Sequence, residues 1–210
     1  MVKRTRKNNR RRAQVGKPRT VVTRLPSPYN RLSADATVLK CRGVLTLKSF
    51  SASYAGGILG LWPRGGTTPS LATLVTNCSS MADLYDLFIV TSMTIKMIPT
   101  VPTTVGSILA VGYEPTTSEE NRDPLDLADV LISKHHASTN QVSEATFSFQ
   151  PRLYRNDWCR TKAMSIDNTD NGYVQWYSSY TGGAIGTTVG YLDISFDIAF
   201  AGLRRTNNVT

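Results

Sequence analysis

The sequence predicts an all-β domain, an antiparallel sandwich or barrel with short inserted helices, behind a basic arm that does not fold by itself. Three features predict it. Runs of alternating apolar and polar residues recur along the chain between clusters of Gly, Pro, Ser and Asn, the pattern of half-buried strands joined by turns. The composition, with 15 Gly, 10 Pro and 40% hydrophobic residues, suits a turn-rich fold with a sizeable core better than a helical bundle. The charge is also unevenly placed. Eleven of the 24 Lys and Arg fall between Lys3 and Arg31, no acid precedes Asp35, and residues 32–210 hold the other 13 basic and all 15 acidic residues. A chain of formal charge +9 is therefore a +11 arm on a −2 body.

Residues 1–31 are read as the arm with its linker, and residues 32–210 as one folded domain. The stretch KRTRKNNRRRAQVGKPRT is almost free of apolar side chains. It buries too little surface to offset the entropy of ordering and is expected to be disordered alone. Pro18, Pro26 and Pro28 disfavour helix and make residues 21–29 an extended linker.

In the body, CRGVLTLKSFSAS (41–53) carries apolar alternation at Val44, Leu45, Leu47 and Phe50, and the Gly-rich YAGGILGLWPRGG ends at a turn at Pro63. FIVTSMTIKMIP (88–99) alternates along its length. Ile89, Thr91, Met93, Ile95 and Met97 are expected on one face and Val90, Ser92, Thr94 and Lys96 on the other. SILAVGYEP, ATFSFQ and YVQWYSSY are further strands. In the closing TTVGYLDISFDIAF, Leu192, Ile194, Phe196, Ile198 and Phe200 face the core.

Two segments depart from the β pattern. SLATLVTNCSSMADLYDLF (70–88) places Leu71, Leu74, Val75, Met81, Leu84, Tyr85 and Phe88 at helical spacing, with Ser79 or Ser80 as a cap for its second part. PLDLADVLIS (124–133) follows Asp123, an expected N-cap with Pro124 at the first helical position.

Several functional classes find little support. No run approaches the roughly 18 apolar residues of a membrane-spanning helix, and no apolar core follows the basic N-terminus as in a secretory signal. Cys41, Cys78 and Cys159 are odd in number, widely spaced and in no Cys-x-x-Cys pattern, so they read as packed thiols. His135 and His136 are adjacent, so their side chains diverge, which makes a poor metal site and suits a polar turn. No Gly-x-Ser-x-Gly or phosphate loop is present, and the chain is expected not to be an enzyme. Trp62, Trp158 and Trp176 are expected to serve packing.

The order of these features resembles the coat proteins of tombusviruses and sobemoviruses, icosahedral viruses with a jelly-roll shell domain. Tyr85 and Phe88 lead a long strand ending at Pro99, a strand opened by Gly106 ends in Tyr113-Glu114-Pro115 before an acidic loop, and a Gly-led run from Gly190 to Phe200 closes the body. The resemblance spans about residues 41–202, and similar shells occur in some circular single-stranded DNA viruses. It implies an eight-stranded antiparallel jelly-roll sandwich that self-assembles into an icosahedral shell. It leaves no room for a projecting domain after Gly202. It also implies calcium at subunit interfaces, with Glu114 and, from a second polar loop, Asp167 and Asp170 as candidate ligands. Glu114 stands where Asp is usual and Thr117 where an acidic partner is usual, and the alternative reading of these acids is a solvated loop whose first helical turn favours Asp and Glu.

The arm carries the other candidate site. Lys3, Arg4, Arg6, Lys7, Arg10, Arg11, Arg12, Lys17 and Arg19 are phosphate-neutralising residues, and no aromatics lie among them to stack on bases. The same charges could serve nuclear import, with RKNNRRR as the signal, or an anionic membrane surface. The function expected is a viral capsid protein packaging a single-stranded genome, taken as RNA, in a virion made in the host cytoplasm. The alternative is a non-viral nucleic-acid-binding β-barrel module with a basic tail.

Overall fold

The computed structural model of the chain describes residues 36–49, 55–64, 69–100, 106–115, 124, 126–140, 143–153, 158–161 and 172–203. Their strands form two antiparallel sheets. The first contains β1 (Thr37–Lys48), β3 (Tyr85–Pro99), β6 (Ala145–Phe149), β7 (Cys159–Arg160) and β9 (Thr188–Leu203). Its order is β1-β9-β3-β6, with β7 pairing with the start of β3. The second contains β2 (Ala55–Gly60), β4 (Ile108–Glu114), β5 (His135–Asn140) and β8 (Tyr173–Ser178), in the order β2-β8-β4-β5. Most connections cross from one sheet to the other, which brings the first and last strands together as neighbours. This is the jelly-roll arrangement, with the expected eight strands and the two-residue β7 in addition.

The core lies between the sheets. β9 sits at the centre of the first sheet, paired with β1 from Thr37↔Phe200 to Lys48↔Thr188 and with β3 from Tyr85↔Leu203 to Pro99↔Gly190. Leu192, Ile194, Phe196, Ile198 and Phe200 are buried as their alternation requires, while Ser195 is exposed on the other face. Full burial of such side chains stabilises by about 1.5–3 kcal/mol each. β1 begins at Thr37, four residues before the predicted run, and Val44 is 58% exposed while Leu47 is buried.

The predicted faces of β3 need correction. Phe88 and Val90, not Ile89 and Thr91, share the core with Met93, Ile95 and Met97. The register against β9 shifts between Val90 and Ser92, so one residue is inserted and the alternation changes phase. Thr91 occupies the bulge and its hydroxyl donates to the Asp197 carbonyl at 3.1 Å.

The helical segments also differ from expectation in detail. Residues 70–88 form α1 (Leu71–Leu74), α2 (Thr76–Leu84) and the first turn-free residues of β3, so Tyr85 and Phe88 are extended and not helical. Both pair with β9, and sheet pairing overrides their local spacing. Ser79 and Ser80 lie inside α2, whose N-cap position is Val75; the capping serine is Ser70 of α1, whose N–H donates to Thr73 Oγ1 at 3.0 Å. α2 buries Cys78 and Ala82, while Leu84 is half exposed.

α3 (Leu127–Leu131) is capped by Asp126, not by Asp123, which lies outside the described residues, as does Phe50. The Asp126 carboxylate accepts from the Asp129 N–H at 3.0 Å and Asp129 accepts from the Asp126 N–H at 3.3 Å, a reciprocal capping box. α3 lies on the outer face of the second sheet. There Gly112 has no side chain, and a Cβ would stand 2.4 Å from Ser133 Oγ and 2.9 Å from the Val130 carbonyl. Gln175, the strand neighbour of Gly112, donates from Nε2 to the Asp129 carbonyl at 2.8 Å and to the Ser133 hydroxyl.

Candidate assembly and nucleic-acid site

The nine predicted phosphate-binding residues, and Thr117, Asp167 and Asp170, lie outside the described residues. What the fold defines is the place from which the arm continues. Thr37 opens β1 at the end of the first sheet where β9 finishes, paired with Phe200, and its hydroxyl lies 2.9 Å from the Tyr85 hydroxyl. Leu203, the last residue of β9, pairs with Tyr85 at the same end. The basic pair Arg204 and Arg205, which the sequence reading passed over, follows directly. Its signal was a double Arg just past the final strand, visible only as an isolated pair until β9 was seen to end beside the start of β1.

The outer face of the first sheet carries ion-paired charges. Arg42 forms a two-pronged pair with Asp193, Nε to Oδ1 at 2.9 Å and Nη2 to Oδ2 at 2.5 Å. The guanidinium holds the Asp193 carboxyl below the usual carboxylate range, and the carboxylate in turn raises the pKa of Arg42. Lys96 pairs with Glu144, Lys40 stands across from Asp197, and Thr94 and Ser148 hydroxyls meet at 2.8 Å. A shallow depression of about 420 Å³ lies among Lys40, Arg42, Ser92, Thr94, Ser195 and Asp197. The carboxylates held against Arg42 and Lys96 reduce the field that these two cations present to a polyanion.

Glu114 ends β4 opposite Tyr173. Burial, and then the Glu114 charge, raise the Tyr173 hydroxyl above its ordinary pKa. Gly172 adopts a positive φ of 89°, and a Cβ there would stand 2.3 Å from the Glu114 carbonyl. Glu114 is thus close to the foot of the segment that carries Asp167 and Asp170. Among the described residues, no group of three or more His, Cys, Asp or Glu gathers in a form that could hold a metal ion.

His135 and His136 lie in strand β5, not in a turn, and diverge as adjacent strand residues must. The His135 ring sits 5.8 Å from Phe149 and 6.1 Å from Phe147, while His136 Nδ1 lies 3.3 Å from the Ser133 carbonyl. Trp176 is buried in the core and Trp62 packs against it, so neither lines a cleft. The most exposed large apolar side chains are Ile132, Ile185, Leu153 and Leu203. The first three stand in connections between strands, Ile132 just after α3, and the last at the end of β9.

No family model matches the sequence, and no curated protein matches it. Solved structures do match. The chain superposes on a chain of cocksfoot mottle virus with a TM-score of 0.60 at 14% identity, covering 81% of this chain and 97% of that one. A chain of melon necrotic spot virus matches with a TM-score of 0.60 at 18% identity, over 80% of this chain and 50% of that one. The third is the semi-empty virus-like particle of giant freshwater prawn Macrobrachium rosenbergii nodavirus, with a TM-score of 0.57, 13% identity, and 80% and 94% coverage. The fold is the jelly roll of icosahedral virus shells. This shell fold spans nearly the whole of the first and third chains but half of the second.

Proposed function

We propose that the chain is a capsid protein that assembles into an icosahedral shell and packages a single-stranded genome, RNA by preference, through its N-terminal arm. The observation that carries this reading is the pairing of a shell-type jelly roll with a +11 segment joined to one end of it, at β1. Arg42 and Lys96 of the body are held in ion pairs while the arm's cations have no acid among them, so attraction for polyphosphate is assigned to the arm, with Arg204 and Arg205 next in sequence after β9. Ile132, Ile185 and Leu153, exposed in connections between strands, are suited to burial against neighbouring copies. Many modest contacts repeated around a closed shell sum to a stable particle. Calcium at Glu114, Asp167 and Asp170, location in the virion and nuclear entry through RKNNRRR belong to the same proposal.

The test is size-exclusion chromatography and electron microscopy of the purified protein, with and without single-stranded RNA or DNA. Closed particles containing nucleic acid are expected; a monomer that binds nucleic acid without assembling would select the tailed β-barrel module instead. Deleting residues 1–31 should leave circular dichroism nearly unchanged and remove most binding in a filter assay. With eight to ten phosphates neutralised on a single strand, log affinity should fall against log salt with a slope of roughly −6 to −7.

A further inference from the structure

The sequence reading treated the three cysteines as separate packed thiols. The fold brings two of them together. Cys41 lies in the edge strand β1 and Cys78 in the first turns of α2, 37 positions apart in the chain, and their sulfurs stand 3.8 Å apart in a buried setting. The surrounding backbone makes this closeness structural. Gly43, two residues along the same inward face of β1, has no side chain, and a Cβ there would lie 2.9 Å from Leu74 Cβ and 3.0 Å from the Leu74 carbonyl. β1 therefore passes directly over the junction of α1 and α2. Cys159 is buried elsewhere, in β7 opposite Phe88.

We infer that Cys41 and Cys78 are a disulfide-forming pair, a site of oxidative cross-linking that ties the edge strand β1 to α2. The 3.8 Å separation must close to about 2.05 Å, a movement that side-chain rotation supplies where β1 is already packed on the α1–α2 junction at Gly43. The chemistry with peroxide as oxidant balances. One thiol is oxidised to a sulfenic acid as peroxide leaves as water. The second thiol attacks that sulfur, its S–O bond breaks, and a second water departs, so two thiols and one peroxide yield one disulfide and two waters. In a reducing cytosol the pair stays as thiols, and in an oxidising medium it closes.

Burial raises the pKa of both thiols, Cys78 strongly, so little thiolate exists in the closed fold. Oxidation should accordingly be slow and should accelerate when β1 opens. As β1 is the outermost of the described strands of its sheet, among the described residues its opening disrupts the ladder with β9 alone. Once formed, the bond restrains that strand and closes a long loop in the unfolded chain.

The experiment uses the full chain, purified under reductant and then exposed to hydrogen peroxide in buffer with and without mild urea. Intact-mass and peptide mapping should show loss of two hydrogens and a linked peptide pair containing Cys41 and Cys78, with Cys159 still open to alkylation. The reaction should be faster in urea, and the unfolding midpoint should rise by roughly 5–10 °C and return on adding dithiothreitol. Cys78→Ala should abolish the link and the rise. If that variant does not fold, the reductant-reversible shift of the unmodified chain decides by itself. Three alkylatable thiols after oxidation, a link through Cys159, or a lowered midpoint would each overturn the inference.

Discussion

In the first sheet, β9 from Leu192 to Ile198 and β3 beyond its bulge send one face to the core and leave the other at least partly exposed. In the second sheet, β2 is buried along its whole length and β4 and β8 along most of theirs. The difference lies in what covers the outer faces. That of the first sheet carries paired charges and hydroxyls such as Arg42, Asp193, Thr94 and Ser148, which are compatible with water. On the second sheet α3 lies across β4 and β8, fitted over Gly112 and held by Gln175. Alternation thus records one-sided burial, and its loss records a second layer.

The sharpest test of this contrast is a pair of neighbouring residues in β9. Phe196→Asp places a charge in the core beside Met93 and Cys41 and should cost at least about 4 kcal/mol, removing both folding and any particles. Ser195→Asp, on the outer face, should cost within about 1 kcal/mol by urea denaturation. Normal stability for Phe196→Asp would show that the two faces of β9 are reversed.

On the second sheet the outer face should be unforgiving instead. Gly112→Ala drives a methyl group into Ser133 and the α3 backbone, and should destabilise by about 1–3 kcal/mol. A neutral outcome would mean that α3 does not lie tightly on β4. Gln175→Leu keeps the side-chain bulk but removes the donor to the Asp129 carbonyl and the Ser133 hydroxyl. A loss of about 1–2 kcal/mol is expected, with faster amide exchange in α3 as its signature.

The smallest effect belongs to the Arg42–Asp193 pair, because it is solvent-screened. The folded-state pKa of Asp193 is depressed, so its contribution is complete above the ordinary carboxylate value and disappears as pH falls through the lower folded value. A small stability difference between Arg42→Ala and the parent should therefore be seen at neutral pH and low salt, and vanish in strong acid or at high salt. A difference that persists unchanged at low pH would mean that Arg42 acts through packing of its stem and not through charge.

Legibility followed the same division. The closing strand could be read residue by residue because its outer face is wet. β5 was missed because HHASTN is polar and its strand character comes from pairing with β4, which no local pattern records. The phase change at Thr91 escaped notice because a bulge keeps the apolar content of a strand and alters only its register. The helical reading ran into Tyr85 because Leu84, Tyr85 and Phe88 satisfy a 3.6-residue spacing as well as a strand, and contact with β9 decides between them. At the candidate site, the arm's charge was plain from composition, whereas the nearness of its root to the end of β9 depends on the first and last strands being neighbours.

By itself the sequence determined the all-β class, the inward set of β9, and the separation of a polycationic arm from a nearly neutral body, since composition and short-range periodicity are carried by adjacent residues. The tertiary structure alone decided which strands became neighbours, where β3 changes phase, which aspartate caps α3, and that Cys41 meets Cys78. Each of these depends on contacts between segments far apart in the chain, whose free energy does not exist until the two sheets have closed over the core.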